Sequence, residues 1–272
     1  MPTSALALAL AAAVVHAGWN LLLARARDPE AATAVAMLAS VVAFAPVAAL
    51  TWDVDAAALP FVVASACLQL AYFGLLAAAY ARAELSVVYP LARGVAPVLV
   101  LAVGVAALGA DSSAGQTLGV LLVGGGVLAI RGPGRVRGAG VAFGLAIAAC
   151  IAGYTLVDKH GIEHAAPLAY LELVMLGPAL VYAAVLGRRR GLPALRAEVN
   201  GAALAAGVGG FVAYLLVLLA LERAPAASVA AVRETSVVLA TALAGPLLGE
   251  RVGRARLGGA LLVVAGVALL GR

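Results

Sequence analysis

The chain nearly repeats itself after 140 residues. Shifted by that offset, Arg93 falls on Arg233, Leu108-Gly109 on Leu248-Gly249, Gly119 on Gly259, and Gly126-Val127 on Gly266-Val267. Across positions 93–127, twelve of 35 residues are identical to their shifted partners. Abundant Ala, Val and Leu explain part of this. They do not explain Arg93 and Arg233, because arginine inside an apolar run is rare. The earlier part of each unit matches more weakly, with Ala17-Gly18-Trp19 against Ala152-Gly153-Tyr154 at an offset of 135. A duplicated unit has to bury its apolar faces in the same manner twice.

Composition shows what each unit contains. Hydrophobic residues make up 65% of the chain, charged residues 11%, and the mean hydropathy is +1.09. Soluble domains are about half apolar and about a quarter charged, so a water-soluble fold is excluded. Ten apolar runs stand out, at 4–24, 31–50, 60–81, 86–108, 115–130, 138–157, 166–187, 201–221, 226–248 and 255–271. A membrane helix needs ~20 such residues, and the strict alternation of a membrane barrel is absent. The sequence therefore predicts an all-α polytopic membrane protein with ten transmembrane helices. Residues 1–130 form the first unit, 131–137 a basic inter-repeat loop and 138–272 the second unit. Five spans per unit is odd, so the second copy enters the membrane upside down, giving two inverted five-helix repeats. The first run is read as an uncleaved span, because no basic side chain precedes it.

Charge predicts orientation rather than a nucleic-acid partner. Of the 18 basic residues, thirteen fall in the loops after spans 1, 3, 5, 7 and 9. The positive-inside rule places those loops in the cytoplasm of a bacterial inner membrane and both termini outside. Cys67 and Cys150 lie within apolar runs without metal-ligand spacing, so neither a metal nor another cofactor is predicted. The glycine clusters lack the lysine and preceding strand of a nucleotide loop and read as helix-packing sites. A homodimer is allowed but nothing demands it. The expected partners are a small-molecule substrate and the lipid bilayer.

A charge at membrane depth costs at least ~2.5 kcal/mol, which makes it a functional candidate. Five residues qualify: His16, Arg93, Glu172, Arg233 and Glu234. Arg93 shares a helix face with Ser86, Tyr89 and Pro97, and Pro90 and Pro97 each remove a backbone donor. It either binds an anionic solute or neutralises a buried glutamate. Arg233 and Glu234, being adjacent, point about 100° apart; Arg233 is expected to share its face with Ser236. Glu234 is either a proton carrier or a fixed salt-bridge partner of one arginine. His16, Trp19 and Asn20 form one stripe able to offer hydrogen bonds and an aromatic plate to a polar solute. Tyr154 mirrors Trp19 in the second unit. Asp158 and Lys159 end the sixth run and read as interfacial and structural. Gln69 with Tyr72, and Phe211 with Tyr214, read as packing.

The segments HAGWN at 16–20, YPLARGVAPVLV at 89–100 and VRETSVVLA at 232–240, with the two glycine-rich tails, resemble EamA-type proteins of the drug/metabolite transporter superfamily. The resemblance covers nearly the whole chain as two EamA units. It implies an inverted-repeat carrier, often a bacterial exporter of amino acids or other small metabolites. It also implies a central cavity lined by His16, Trp19, Asn20, Tyr89, Arg93, Tyr154, Arg233 and Glu234. One departure is the acid after Leu-Gly: Glu250 in the second unit corresponds to Ala110, then Asp111, in the first.

The leading expectation is a secondary transporter working by alternating access and exporting a small polar metabolite, such as an amino acid or related carboxylate. Its substrate-binding residues would be His16, Trp19, Asn20, Tyr89, Arg93, Tyr154, Arg233 and Ser236, with Glu234 and Glu172 as coupling or charge-pair groups. Efflux of cationic or hydrophobic compounds is the second transport reading. A non-transporting flippase partner and a membrane-embedded lipid-modifying enzyme are the other classes. An enzyme is not expected, since no acid cluster for Mg²⁺ and no nucleophile–histidine pair at helical spacing occurs.

Overall fold

The computed structural model describes residues 1–83, 85–130, 138–239, 242 and 254–272. Among these the chain is helical almost throughout: α1 (Thr3–Ala24), α2 (Pro29–Leu50), α3 (Leu59–Arg82), α4 (Leu85–Leu108), α5 (Ala114–Ile130), α6 (Gly138–Gly161), α7 (Pro167–Arg190), α8 (Leu192–Ala197), α9 (Gly201–Leu221), α10 (Ala226–Arg233) and α11 (Arg254–Leu270). Seven helices are long and apolar enough to cross a membrane, and the apolar helices α5 and α11 are shorter, at 17 residues each. Helix is the natural answer for runs this apolar, because it satisfies every interior peptide group without water.

Local chemistry sets the ends. The Asp28 carboxylate caps α2, accepting from the Ala31 amide at 3.2 Å with Pro29 in the first helical position. Asn200 caps α9 through the Ala203 amide at 3.0 Å. Side-chain capping of this kind satisfies amides that have no partner within the helix. α7 ends at Gly191, where φ is +82°, a conformation open to glycine and closed to most other residues.

Two elements depart from the sequence expectation, whereas α4 runs unbroken through Pro90 and Pro97 over the single run 86–108. α8 lies in the stretch 188–200 that reads as loop. The ninth apolar run is not one helix: α10 stops at Arg233, Glu234 sits in a turn, and residues 235–239 are helical again. Around this turn the Glu234 amide bonds to the Ala231 carbonyl, and the Val237 amide to the Glu234 carbonyl. These are three-residue steps, tighter than an α-helix. The basic stretch 131–137 and the end of the ninth run with Glu250 lie outside the described residues. Cys150 is buried as expected, whereas Cys67 is exposed.

The helices pack in a definite pattern. α5 lies against α11, α1 against α9, α3 and α4 against α6, α2 against α7 and α9, and α10 against α4 and α1. α5 and α11 cross antiparallel on facing glycines, with Gly119 against Gly266 and Gly126 against Gly259. α2 and α7 are also antiparallel and are tied at both ends. At one end Arg190 reaches Asp28 at 2.6 Å and also Glu30, while the Asp28 amide donates to Glu198. At the other, the Asp55 amide bonds to the His164 carbonyl and the Ala166 amide to the Asp53 carbonyl. Partial burial raises the Asp28 carboxyl, but the Ala31 amide and Arg190 outweigh it and hold its pKa below the ordinary value. That tie therefore stabilises the fold above the pKa of an unfolded aspartate and is lost as pH falls through the depressed one.

The α5–α11 crossing gives a test. A Cβ on Gly126 would stand 2.6 Å from the Gly259 carbonyl oxygen, and one on Gly259 would stand 2.5 Å from that of Gly126. Gly126→Ala or Gly259→Ala should each destabilise the purified protein by about 1–3 kcal/mol, the usual range for overpacking. Gly125→Ala, which meets nothing within 4 Å, should be neutral. Thermal unfolding in detergent reads the difference.

Candidate functional site

The turn after α10 brings a carboxylate and a hydroxyl to one arginine and leaves the guanidinium of Arg233 to another set of partners. Arg93, from the interior of α4, places its Nε 2.9 Å from Glu234 Oε2. The side chains are 5% and 2% exposed, so the pair is withdrawn from solvent. The contact lies off the N–H direction, so it is an ion contact rather than a linear hydrogen bond. The same guanidinium donates to Ser236 Oγ at 3.1 Å and sits 3.2 Å from His16 Nε2 of α1. It also lies 5.9 Å from the centre of the Tyr89 ring, within cation–π range. Three segments distant in sequence thus converge on one cation.

Arg233 points elsewhere. Its guanidinium reaches the Tyr154 hydroxyl of α6 at 3.3 Å and lies 5.7 Å from the centre of the Tyr214 ring on α9. It makes no salt bridge among the described residues. Its Nε is buried without a hydrogen-bond partner. The expected common face of Arg233 and Ser236 is therefore not observed. The tight turn swings Glu234 and Ser236 together toward Arg93 and leaves Arg233 to the aromatic side. The two arginines differ accordingly in charge balance. Arg93 is neutralised by Glu234; Arg233 keeps a positive charge faced by phenols.

Each arginine has its own aromatic neighbours, Tyr89 beside Arg93 and Tyr214 beside Arg233. His16 packs edge-on to Trp19 with ring centres 5.0 Å apart. Tyr154 meets Tyr214 edge-on at 5.8 Å and Tyr72 at 6.4 Å. Trp19 Nε1 is buried with no hydrogen-bond partner among the described residues. Tyr72 and Tyr214 both pack against Tyr154, which bonds Arg233, while Phe211 stacks on Phe44.

Two expected site residues stand apart. The Asn20 amide donates to the His16 carbonyl of its own helix at 2.8 Å and makes no bond to the arginines. Glu172, on α7, is only 8% exposed, and its Oε2 has no hydrogen-bond partner. It makes no ion pair with either arginine among the described residues. One residue belongs with the interior group and was not expected there. Asp158 is fully buried and accepts hydrogen bonds from Tyr170 at 2.8 Å and from Tyr214. Its place four residues after Tyr154, on the same helix face, was the one signal for this. Nearness to the end of an apolar run concealed it.

Comparisons with known proteins bear on the whole chain. Residues 138–272 match the model of the EamA-like transporter family. One solved structure, described only as the crystal structure of a protein, aligns with a TM-score of 0.77 at 16% identity. The alignment covers 99% of this chain and 96% of that one. At that identity the likeness shows a shared fold. No curated protein matches the sequence significantly.

The ion pair makes a prediction about coupling. Removing one member of a buried pair strands the other, at about 3–5 kcal/mol. Arg93→Gln and Glu234→Gln should each lower the unfolding temperature strongly. The double variant should be more stable than the sum of the two losses implies. A double-mutant cycle on the purified protein measures this, and additive losses would show that the two groups do not interact.

Proposed function

The chain belongs to the EamA-like transporter family, and on that premise we propose that it carries a small metabolite bearing a carboxylate across the bacterial inner membrane, with Arg233 as the anion's partner. The observation that carries this reading is the asymmetry between the arginines. Arg93 already holds a carboxylate at 2.9 Å. Arg233, equally interior, holds only phenolic groups. A solute carboxylate would supply the missing counter-ion, and a guanidinium can receive it through two parallel N–H bonds. His16, Trp19 and Tyr89 would form the opposite wall, with Trp19 Nε1 as a donor and Tyr89, which stays 37% exposed, near the entrance. Ser236 and Glu234 fix Arg93 rather than the solute.

Alternating access would come from two inverted repeats, residues 1–130 and 138–272 joined by 131–137. The packing supports this. Exchange each helix for its counterpart in the other unit and the contacts map onto one another: α1–α9 onto α6–α3, and α4–α6 onto α10–α1. The α5–α11 and α2–α7 pairs each map onto themselves, and both are antiparallel. With ten spans completing the two units, the basic odd-numbered loops lie in the cytoplasm and both termini outside. Transport is outward, the direction that the family resemblance implies.

The test is solute counterflow in proteoliposomes, run with a panel of labelled amino acids and simple carboxylates. Arg233→Gln should abolish carboxylate exchange while leaving the protein folded. Glu172→Gln should leave it intact. If exchange of cations survives Arg233→Gln and carboxylates are never exchanged, the protein is a cation exporter and the assignment is wrong.

A further inference from the structure

Asp158 takes no part in the anion site around Arg233, and its surroundings are unusual. It is 0% exposed, near the end of α6. A carboxylate so placed normally pairs with a cation, yet Asp158 makes no salt bridge among the described residues. The adjacent Lys159 donates instead to the Leu221 carbonyl. The groups in contact with Asp158 are neutral. Tyr170 of α7 donates to Oδ1 at 2.8 Å, and Tyr214 of α9 donates to Oδ2. Ser65 of α3, itself fully buried, neighbours the carboxyl, and its hydroxyl has no well-formed hydrogen bond. Arg233 of α10 acts on it at longer range. Arg93 of α4 is engaged by Glu234.

We propose that Asp158 is a proton-binding site linked through Tyr214 to Arg233, so that a proton and the solute anion are loaded together. The inference rests on the assignment of Arg233 as the anion's partner. Its chemistry needs only a proton from water. Protonation forms an O–H bond on the carboxyl, which then needs an acceptor, and the neighbouring Ser65 hydroxyl can accept. The protonated oxygen is a weaker acceptor, so the Tyr214 hydrogen bond loosens. Tyr214 is the ring over which the Arg233 guanidinium lies. Charge sets the sign: neutral Asp158 leaves Arg233 with less negative potential nearby and favours an anion on it. Linkage is reciprocal, so a bound anion raises the proton affinity of Asp158. The transported load is then an anion with its proton, electrically neutral, and an accumulated weak acid could leave down its own gradient.

Two measurements on the full chain in nanodiscs decide the matter. The first is infrared difference spectroscopy across a pH titration, tracking the carbonyl stretch of a buried carboxylic acid. A band should appear on acidification, vanish in Asp158→Asn, and persist in Glu172→Gln. Tyr214→Phe, which removes a donor to the carboxylate, should move the titration to higher pH by about one unit, a tenfold gain in proton affinity. A band that survives Asp158→Asn, or that ignores Tyr214→Phe, overturns the proposal. The second measurement adds sodium acetate at matched pH and reads proton uptake with an indicator dye in weak buffer. Binding is scored separately by thermal shift. Wild type should bind acetate and take up protons; Asp158→Asn should bind without uptake. Acetate binding with no proton uptake in wild type sinks the linkage and leaves the anion assignment standing. If acetate and the carboxylate panel all fail to bind, the anion assignment fails, and with it the linkage to Arg233; the infrared titration then judges the proton site alone.

Discussion

A guanidinium and a carboxylate, each almost entirely buried, meet at 2.9 Å between α4 and the turn at the end of α10. Either charge left there without the other would be costly. In a bilayer interior an isolated ion carries a cost of several kcal/mol, so Arg93 and Glu234 must remain together for both helices to stay embedded. The pair draws in Ser236 and His16 as further partners, and so fixes α1, α4 and the α10 turn in one arrangement. This interaction also determines what Arg233 can do. The carboxylate next to it in sequence is committed to the other arginine.

The broken ninth run is the device that makes this division possible. On a continuous helix, residues 233 and 236 lie on roughly one face, and a single partner would take both. The tight turn at Glu234 rotates the residues after Arg233, so that Glu234 and Ser236 meet Arg93 while Arg233 meets Tyr154 and Tyr214. Interrupted helices at the centre of a membrane protein leave backbone groups that only protein or water can satisfy. Here the short-range bonds around Glu234 satisfy part of that need. The duplication is thereby made unequal. Where the second unit has Glu234, the first has Gly94, which packs against Gly124 at backbone contact. One copy of the repeated position carries charge; the other carries close packing.

The membrane class, the apolar runs and the helix boundaries were legible because they depend on local composition. Nine runs matched observed helices to within four residues, and the caps at Asp28 and Asn200 sit where turn residues precede apolar stretches. The sequence left the partner of Glu234 open between Arg93 and Arg233, and the structure sets it 2.9 Å from Arg93. Asp158 was misplaced for a physical reason. Sequence position measures distance along one helix, whereas burial depends on what neighbouring helices lay over its end. The Tyr170 and Tyr214 hydroxyls that enclose Asp158 come from α7 and α9, and nothing local to residue 158 announces them.

The sequence by itself determined that this chain lives in a membrane, that its second half echoes its first, and which charged side chains must find partners there. Those properties come from composition, period and the cost of an unpaired ion in hydrocarbon. Only the tertiary structure decided who pairs with whom: which arginine is neutralised, which one keeps its charge, and which carboxylate is enclosed by neutral donors. Partner choice depends on a turn of a few residues and on helices brought together from distant parts of the chain, and no periodicity within a single run encodes it.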